Sequence, residues 1–400
     1  MKKSLIALAV LGTSFAASAQ VTLSGRAALE VGSWQATGAT AGAAADFRAR
    51  TRVVDVGSRI ALSVNENLGG GLRAFVMCET GINIDNGSST GQANTNNANT
   101  TSWCSREGHV GIGNRTAEIR AGRQNVWWTQ GAINPVGARW HAGDAITDLM
   151  TQGIGQYTVR GENMLMLVAG PGTGAWAGSN IYMGFMGASG HLNPASPLGA
   201  GQDNGESVGA NNSAKGKYQG LKAAYSQGAL VGSFDMQTSD TGIQTPATSV
   251  TGSRNERSAW KLGAGFRYSG TKSPNIVSIQ YLARERTVTT AAGVATKGEE
   301  NVLALVGHYQ LTGGWLLNGT YGRVSDRKDN NVTVANSGAT SYGLGVVRTL
   351  SNRTHALFHY RVIDNKAAGS YGLNGGNYSG GAAAAGSTSR GWGFGVVHLF

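Results

Sequence analysis

The chain has 400 residues, 62 of them glycine and only 6 proline, with 14% charged residues and a formal net charge of +11. Past the N-terminal segment no run approaches the roughly 18 apolar residues of a helical membrane span, which excludes a helical anchor. Few prolines and few charges suit long, uninterrupted strands, and 40% hydrophobic residues is little for a soluble core of this size.

Residues 1–19 carry Lys2 and Lys3, an apolar run from Leu5, and a closing Ala17-Ser18-Ala19. That pattern is a secretory signal peptide, so the mature chain starts at Gln20 and residues 20–400 form one domain. Removing the two lysines lowers the formal charge from +11 to +9. Cys78 and Cys104 are too few for a disulfide framework, and no metal-ligand spacing surrounds them.

Period-two alternation dominates the mature chain. Residues 21–34 read as a first strand. Residues 58–68 read as a second, with Ile60, Leu62 and Val64 on one face and Arg59, Ser63 and Asn65 on the other. Residues 72–84 follow the Gly69-Gly70-Gly71 turn. Further along, short connections near 113–115, 171–175, 227–228, 270–273, 312–314 and 350–352 alternate with long polar ones. The long ones lie near 36–46, 85–101, 125–150, 190–213, 239–255, 288–298, 326–337 and 365–388. This rhythm predicts an all-β fold: a transmembrane antiparallel barrel of about 16 strands, with short periplasmic turns and long extracellular loops. The chain ends GWGFGVVHLF, with Trp392, Phe394, Val396, His398 and Phe400 on one face and Gly391, Gly393 and Gly395 on the other. We read it as the closing strand, bulky face toward lipid, paired with the first strand near Val21–Ser24.

Charges on the lipid face near the midplane cost roughly 2–4 kcal/mol for Arg or Lys, so wall charges should point inward. Arg59, Glu79, Arg106 and Arg120 lie on neighbouring strands and read as one basic ladder with an embedded carboxylate. Glu118 shares the face of Arg120. Arg73, beside the glycine turn, reads as a solvated strand end. Parity sets Cys78 opposite Glu79 and Cys104 with Arg106, so the two thiols face opposite sides unless a bulge intervenes. No histidine has the spacing of a nucleophile activator, and His355 and His359 fall in a strand pattern rather than on one helix face. No glycine loop opens a helix to cradle phosphate. The expectation is no enzyme, no cofactor, no metal and no nucleic-acid partner.

The segments LGGGLRAFVMCETGINIDNG (residues 68–87) and SREGHVGIGNRTAEIRAGRQ (residues 105–124) resemble the general diffusion porins of Gram-negative bacteria, of the β-proteobacterial type. The terminal Phe400 and His398 fit as well, and the resemblance implies that Phe400 is also an assembly signal. The resemblance implies a homotrimer in the outer membrane, with lipid and lipopolysaccharide around it, the barrel assembly machinery inserting it, and small hydrophilic solutes and ions passing through it. It also implies a third loop, residues 125–150, folded inward as a constriction. On or near that loop stand Arg139, Asp144 and Asp148, with Arg160 following. The family's further arginine in the next strand is replaced by Met166. A basic lumen would prefer anions. Two alternatives stay open: a substrate-specific porin with Trp103, Trp127, Trp128 and Trp140 as an aromatic slide, and a structural or adhesive barrel.

Overall fold

The computed structural model describes residues 19–85, 103–125, 148–150, 152–154, 160–170, 183–190, 216–240, 254–270, 275–290, 292–373 and 383–400. Strand follows strand along the chain. The first seven are β1 (Gln20–Thr37), β2 (Phe47–Asp55), β3 (Arg59–Gly69), β4 (Leu72–Gly81), β5 (Glu107–Gly113), β6 (Ala117–Asn125) and β7 (Arg160–Ala169). Then come β8 (Met183–Gly190), β9 (Gly216–Gln227), β10 (Leu230–Asp240), β11 (Arg254–Arg267), β12 (Ile276–Thr289) and β13 (Ala295–Leu311). The last are β14 (Trp315–Val324), β15 (Lys328–Asp329), β16 (Val332–Thr333), β17 (Ala339–Thr349), β18 (Thr354–Asn365) and β19 (Thr388–Leu399).

Every ladder is antiparallel, β14 pairs β17 directly, and β19 returns to β1, so the pairing forms a closed ring. β2 and β3 pair successive halves of β1, and β15–β16 is a small hairpin set against β13. Sixteen staves therefore make the ring, as the alternation of short and long connections predicts. The sixth long connection is shorter than expected, because β12 runs on to Thr289 and β13 starts at Ala295.

The two faces of the ring differ. Leu62, Val76, Val110, Ile112, Leu262, Val277, Ile279, Leu344 and Phe394 are all exposed on its outer face. Their alternates, among them Ala28, Ala61, Met164, Lys261, Leu282, Arg284, Val302 and Arg361, are buried on its inner face. An apolar exterior and a mixed interior is the inverse of a soluble domain, and lipid takes the place of a protein core.

The second stave breaks at residues 56–58, where Gly57 takes φ +98°. The backbone groups freed there are bonded locally. Asp55 Oδ1 accepts from the Gly57 and Ser58 amides at 2.7 and 2.8 Å. Arg26 donates to the Val56 and Gly57 carbonyls at 2.6 and 3.1 Å. The break is therefore a satisfied irregularity rather than a weak point.

β19 closes the ring with Leu399 opposite Arg26 and Thr388 opposite Thr37. Gly25 and Phe400 exchange amide bonds at 2.8 and 3.1 Å. The expected pairing near Val21–Ser24 is corrected by this register: those residues pair β3 instead. The Phe400 ring lies over Gly25 on the outer wall, where a Cβ would collide with it. The glycine face points inward. Trp34 covers Gly32 and Gly391, while Glu30 and His359 lie across Gly393 and Gly395. His359 Nε2 and Glu30 Oε2 are 2.9 Å apart. The glycines thus make room for side chains that cross the inner wall. His398 faces outward at the turn end, its Nδ1 3.0 Å from Thr354 Oγ1.

One expectation is overturned. Cys78 and Cys104 form a disulfide, with Cα atoms 4.5 Å apart. Strand parity does not apply to Cys104, which precedes β5 in a turn at φ +60°. From there it folds across Gly108, the register partner of Cys78, where the absent side chain leaves it room.

We expect Cys78→Ser with Cys104→Ser to assemble but to lose about 3 kcal/mol of stability, the loop-closure contribution for this separation. In the wild type, reductant should lower the temperature at which the folded band is lost in detergent electrophoresis. The double variant should melt at that lower temperature with or without reductant. We expect Gly395→Val to cut the folded yield severalfold, because its Cβ meets Glu30 and the Leu29 carbonyl. Wild-type yield in the heat-modified band would contradict this.

Candidate pore lining and constriction

Glu79 and Arg59 are inner-face residues on β4 and β3, with Ala61 opposite Glu79 leaving the space between them. Arg59 Nε lies 2.9 Å from Glu79 Oε2, and Arg106 Nε donates to Glu79 Oε1 at 2.6 Å. The Arg106 amide also donates to the Glu79 carbonyl at 2.9 Å. One carboxylate thus ties two guanidiniums to the wall at the loop end of these strands.

Arg120 does not join them. It pairs with Glu118 through Nε at 2.7 Å, near the turn end of β6. Arg73 donates to the other oxygen of Glu118 at 2.7 Å, and its guanidinium stacks 4.8 Å above the Phe75 ring. The single ladder read from the sequence is therefore two separate clusters. Arg73, expected as a solvated end, is a member of the lower one.

Sequence reasoning missed the strongest feature. On β9–β12, Lys222, Arg257, Lys261, Arg284 and Arg286 all face inward. Lys222, Asp235 and Lys261 stand in one cross-strand row, with ammonium–carboxylate distances of 3.6 and 3.5 Å. Arg257 is directly opposite Arg286 in register. Arg286 Nε donates to Asn255 Oδ1 at 2.9 Å. Among the described residues, Asp235 and the neighbouring Glu300 are the carboxylates set against these five cations on the inner face of β9–β13. Pairing the strand parities across neighbours, row by row, would have exposed this strip.

The end of the third loop packs against it. Arg284 donates to Glu300 Oε2 at 2.8 and 3.1 Å and to the Met150 carbonyl at 2.9 Å. The Ile154 amide reaches Glu300 Oε2 at 3.4 Å. Gln152 exchanges two bonds with the Gly372 backbone at 2.6 and 2.9 Å, joining this segment to the last long loop. Tyr371 closes the cluster. Its Oη is 3.5 Å from Arg284, and burial raises its phenol above the usual value, more than the Arg284 charge lowers it. Gly153, at φ +76°, is hemmed in by Glu300, Tyr371 and Arg284, so a side chain has no place there. Leu149 and Met150 are buried inside the ring, and Asp148 is buried beside them.

Arg139, Asp144, Trp127, Trp128 and Trp140 lie outside the described residues, as does the side chain of Arg160, whose backbone opens β7 opposite Asn125. Further along β7, Met164, Met166 and Val168 are buried on the inner face, with Met166 opposite Arg120. Trp103 is described and is 80% exposed.

Comparison with known proteins agrees with this architecture. A family model described as Gram-negative porin matches residues 4–369. The chain is 34% identical over 136 residues to the major outer membrane protein P.IB of Neisseria meningitidis serogroup B, covering 34% of this chain and 38% of that one. It is also 34% identical over 125 residues to the P.IB protein of Neisseria gonorrhoeae, covering 31% and 32% of the two chains. The match thus spans about a third of the length of these curated relatives. Among solved structures, the anion-selective porin from Comamonas acidovorans aligns with TM-score 0.65 at 21% identity, over 96% of this chain and 100% of that one. The trimer form of OmpT, an outer membrane protein of Vibrio cholerae, aligns with TM-score 0.63 at 11% identity over 96% and 100%.

We expect Glu300→Gln to leave Arg284 buried against the loop without its charge partner, costing about 3–5 kcal/mol. The heat-modification temperature should fall and open-channel current noise should rise. Wild-type values for both would show that the pair does not hold the loop.

Proposed function

The chain belongs to the Gram-negative porin family, and on that premise we propose that it is an outer-membrane channel for small hydrophilic solutes with a preference for anions. Its ring of strands has an apolar outer face and a charged inner face, the division that a water-filled pore in lipid requires. The observation that carries the anion preference is the strip of Lys222, Arg257, Lys261, Arg284 and Arg286 across β9–β12. Most of the strip is buried, but its five cations outnumber Asp235 and Glu300, and a net positive wall along a water-filled pore raises the local concentration of counter-ions and lowers that of co-ions. Arginine keeps its charge at any ordinary pH, so selectivity carried by it varies little with pH.

The Arg59–Glu79–Arg106 cluster, the Glu118 cluster and the end of the third loop supply the remaining lining, with Arg139, Asp144, Asp148 and Arg160 as constriction candidates. The solved likeness that is described as a trimer form supports a homotrimer. Export through cleavage after Ala19, insertion by the barrel assembly machinery with Phe400 as signal, and surrounding lipopolysaccharide complete the proposal.

Planar-bilayer recording tests it. Under a salt gradient the wild type should reverse on the anion side. Arg257→Gln with Arg286→Gln should move the reversal potential toward zero with conductance retained. An unmoved reversal potential would remove the strip from the selectivity mechanism, and reversal on the cation side in the wild type would refute the anion preference.

A further inference from the structure

The outer wall has a notch of about 310 Å³ lined by Tyr268, Tyr309, Leu317, Leu344 and two glycines. Gly307 and Gly319 stand opposite each other in register on β13 and β14 and form its floor. A Cβ on Gly307 would meet nothing within 4 Å. The wall on one side is aromatic. The Tyr268 and Tyr309 rings are parallel to within 9° at 6.5 Å, and the Tyr268 hydroxyl donates to the His308 carbonyl at 2.7 Å. Leu317 and Leu344 form the opposite wall.

The turn-side rim of the notch is cationic. Trp315 and Arg348 are register partners at the ends of β14 and β17, beside the turn at residues 312–314. The Arg348 guanidinium stacks 5.2 Å over the Trp315 ring. Its Nη1 is buried and has no hydrogen-bond partner among the described residues. Leu344 is four residues from Arg348, about 13 Å along a strand.

We propose that this notch binds an anionic phospholipid of the periplasmic leaflet, its phosphate on Arg348 and one acyl chain over Gly307 and Gly319. The placement rests on the reading of the ring as a membrane barrel whose short turns face the periplasm. In hydrocarbon, apolar surface alone gives no preference among neighbours, so the selection comes from shape and from the cation. A void between two tyrosines and two leucines loses dispersion contacts unless a slender apolar group fills it. The guanidinium, stacked on an indole and with no carboxylate partner among the described residues, matches a phosphate in the headgroup layer.

Native mass spectrometry of the purified assembly, with phosphatidylglycerol and phosphatidylcholine supplied in equal amounts, provides the test. The wild type should retain phosphatidylglycerol preferentially through mild delipidation. Arg348→Gln and Gly307→Leu should each weaken retention about tenfold, equivalent to ~1.4 kcal/mol. Both side chains are on the outer wall, so single-channel conductance should stay at the wild-type value and report correct folding. Unchanged retention in both variants would overturn the proposal, as would equal retention of the two lipids. If Gly307→Leu instead changes the number of subunits in the assembly, the notch is a contact between copies and the lipid assignment falls. A wild type that retains the lipid but conducts nothing would refute the channel reading and leave this site standing.

Discussion

A backbone in hydrocarbon has no water to bond, and the closure of β1 on β19 is what meets that demand. Every stave finds a partner on both sides, so no sheet edge is left open. Closure also fixes which face each side chain occupies, because a slip of one residue would invert the whole strand. The local devices at the seam serve the same end. Phe400 lies over Gly25 outside, Trp34 lies over Gly32 and Gly391 inside, and Arg26 and Asp55 satisfy the backbone where the second stave breaks.

Once the ring is set, charge placement follows from cost. Cations on the lipid face are expensive, so basic residues of the strands collect on the inner face, where cross-strand register brings them together. Asp235 and Glu300 fix the orientation of three of the cations without balancing the strip. The Arg284–Glu300 pair has a second use: through Met150, Ile154 and Tyr371 it also holds the end of the third loop against the wall. The basic strip and the end of the third loop therefore share one buried ion pair.

The architecture was legible in the sequence because period-two alternation and turn chemistry are local. The stave count, the outward faces of Leu62, Val76, Phe394 and Phe400, and the inward glycines all follow from them. Pairings that depend on register between strands were not legible. Arg120 was grouped with Arg59 because parity tells which face a residue occupies but not how high it stands. Parity argued against a bridge between Cys78 and Cys104, but Cys104 lies in a turn with positive φ, where parity does not apply, and the two are joined. The Lys222–Asp235–Lys261 row needed three strands aligned at once.

The most direct test of ring closure uses the β1–β19 seam itself. Gly25 and Phe400 exchange both amide bonds, so Ala28 and Val397, in register three residues on, form a non-hydrogen-bonded pair with close Cα atoms. With Cys78 and Cys104 replaced by serine, Ala28→Cys with Val397→Cys should oxidise to a disulfide in assembled protein and lock the folded band against heat. The offset pair Ala28→Cys with Leu399→Cys, two residues out of register on the same face, is too far apart to bridge. Bridging of the offset pair, or of neither, would contradict the closed ring in this register.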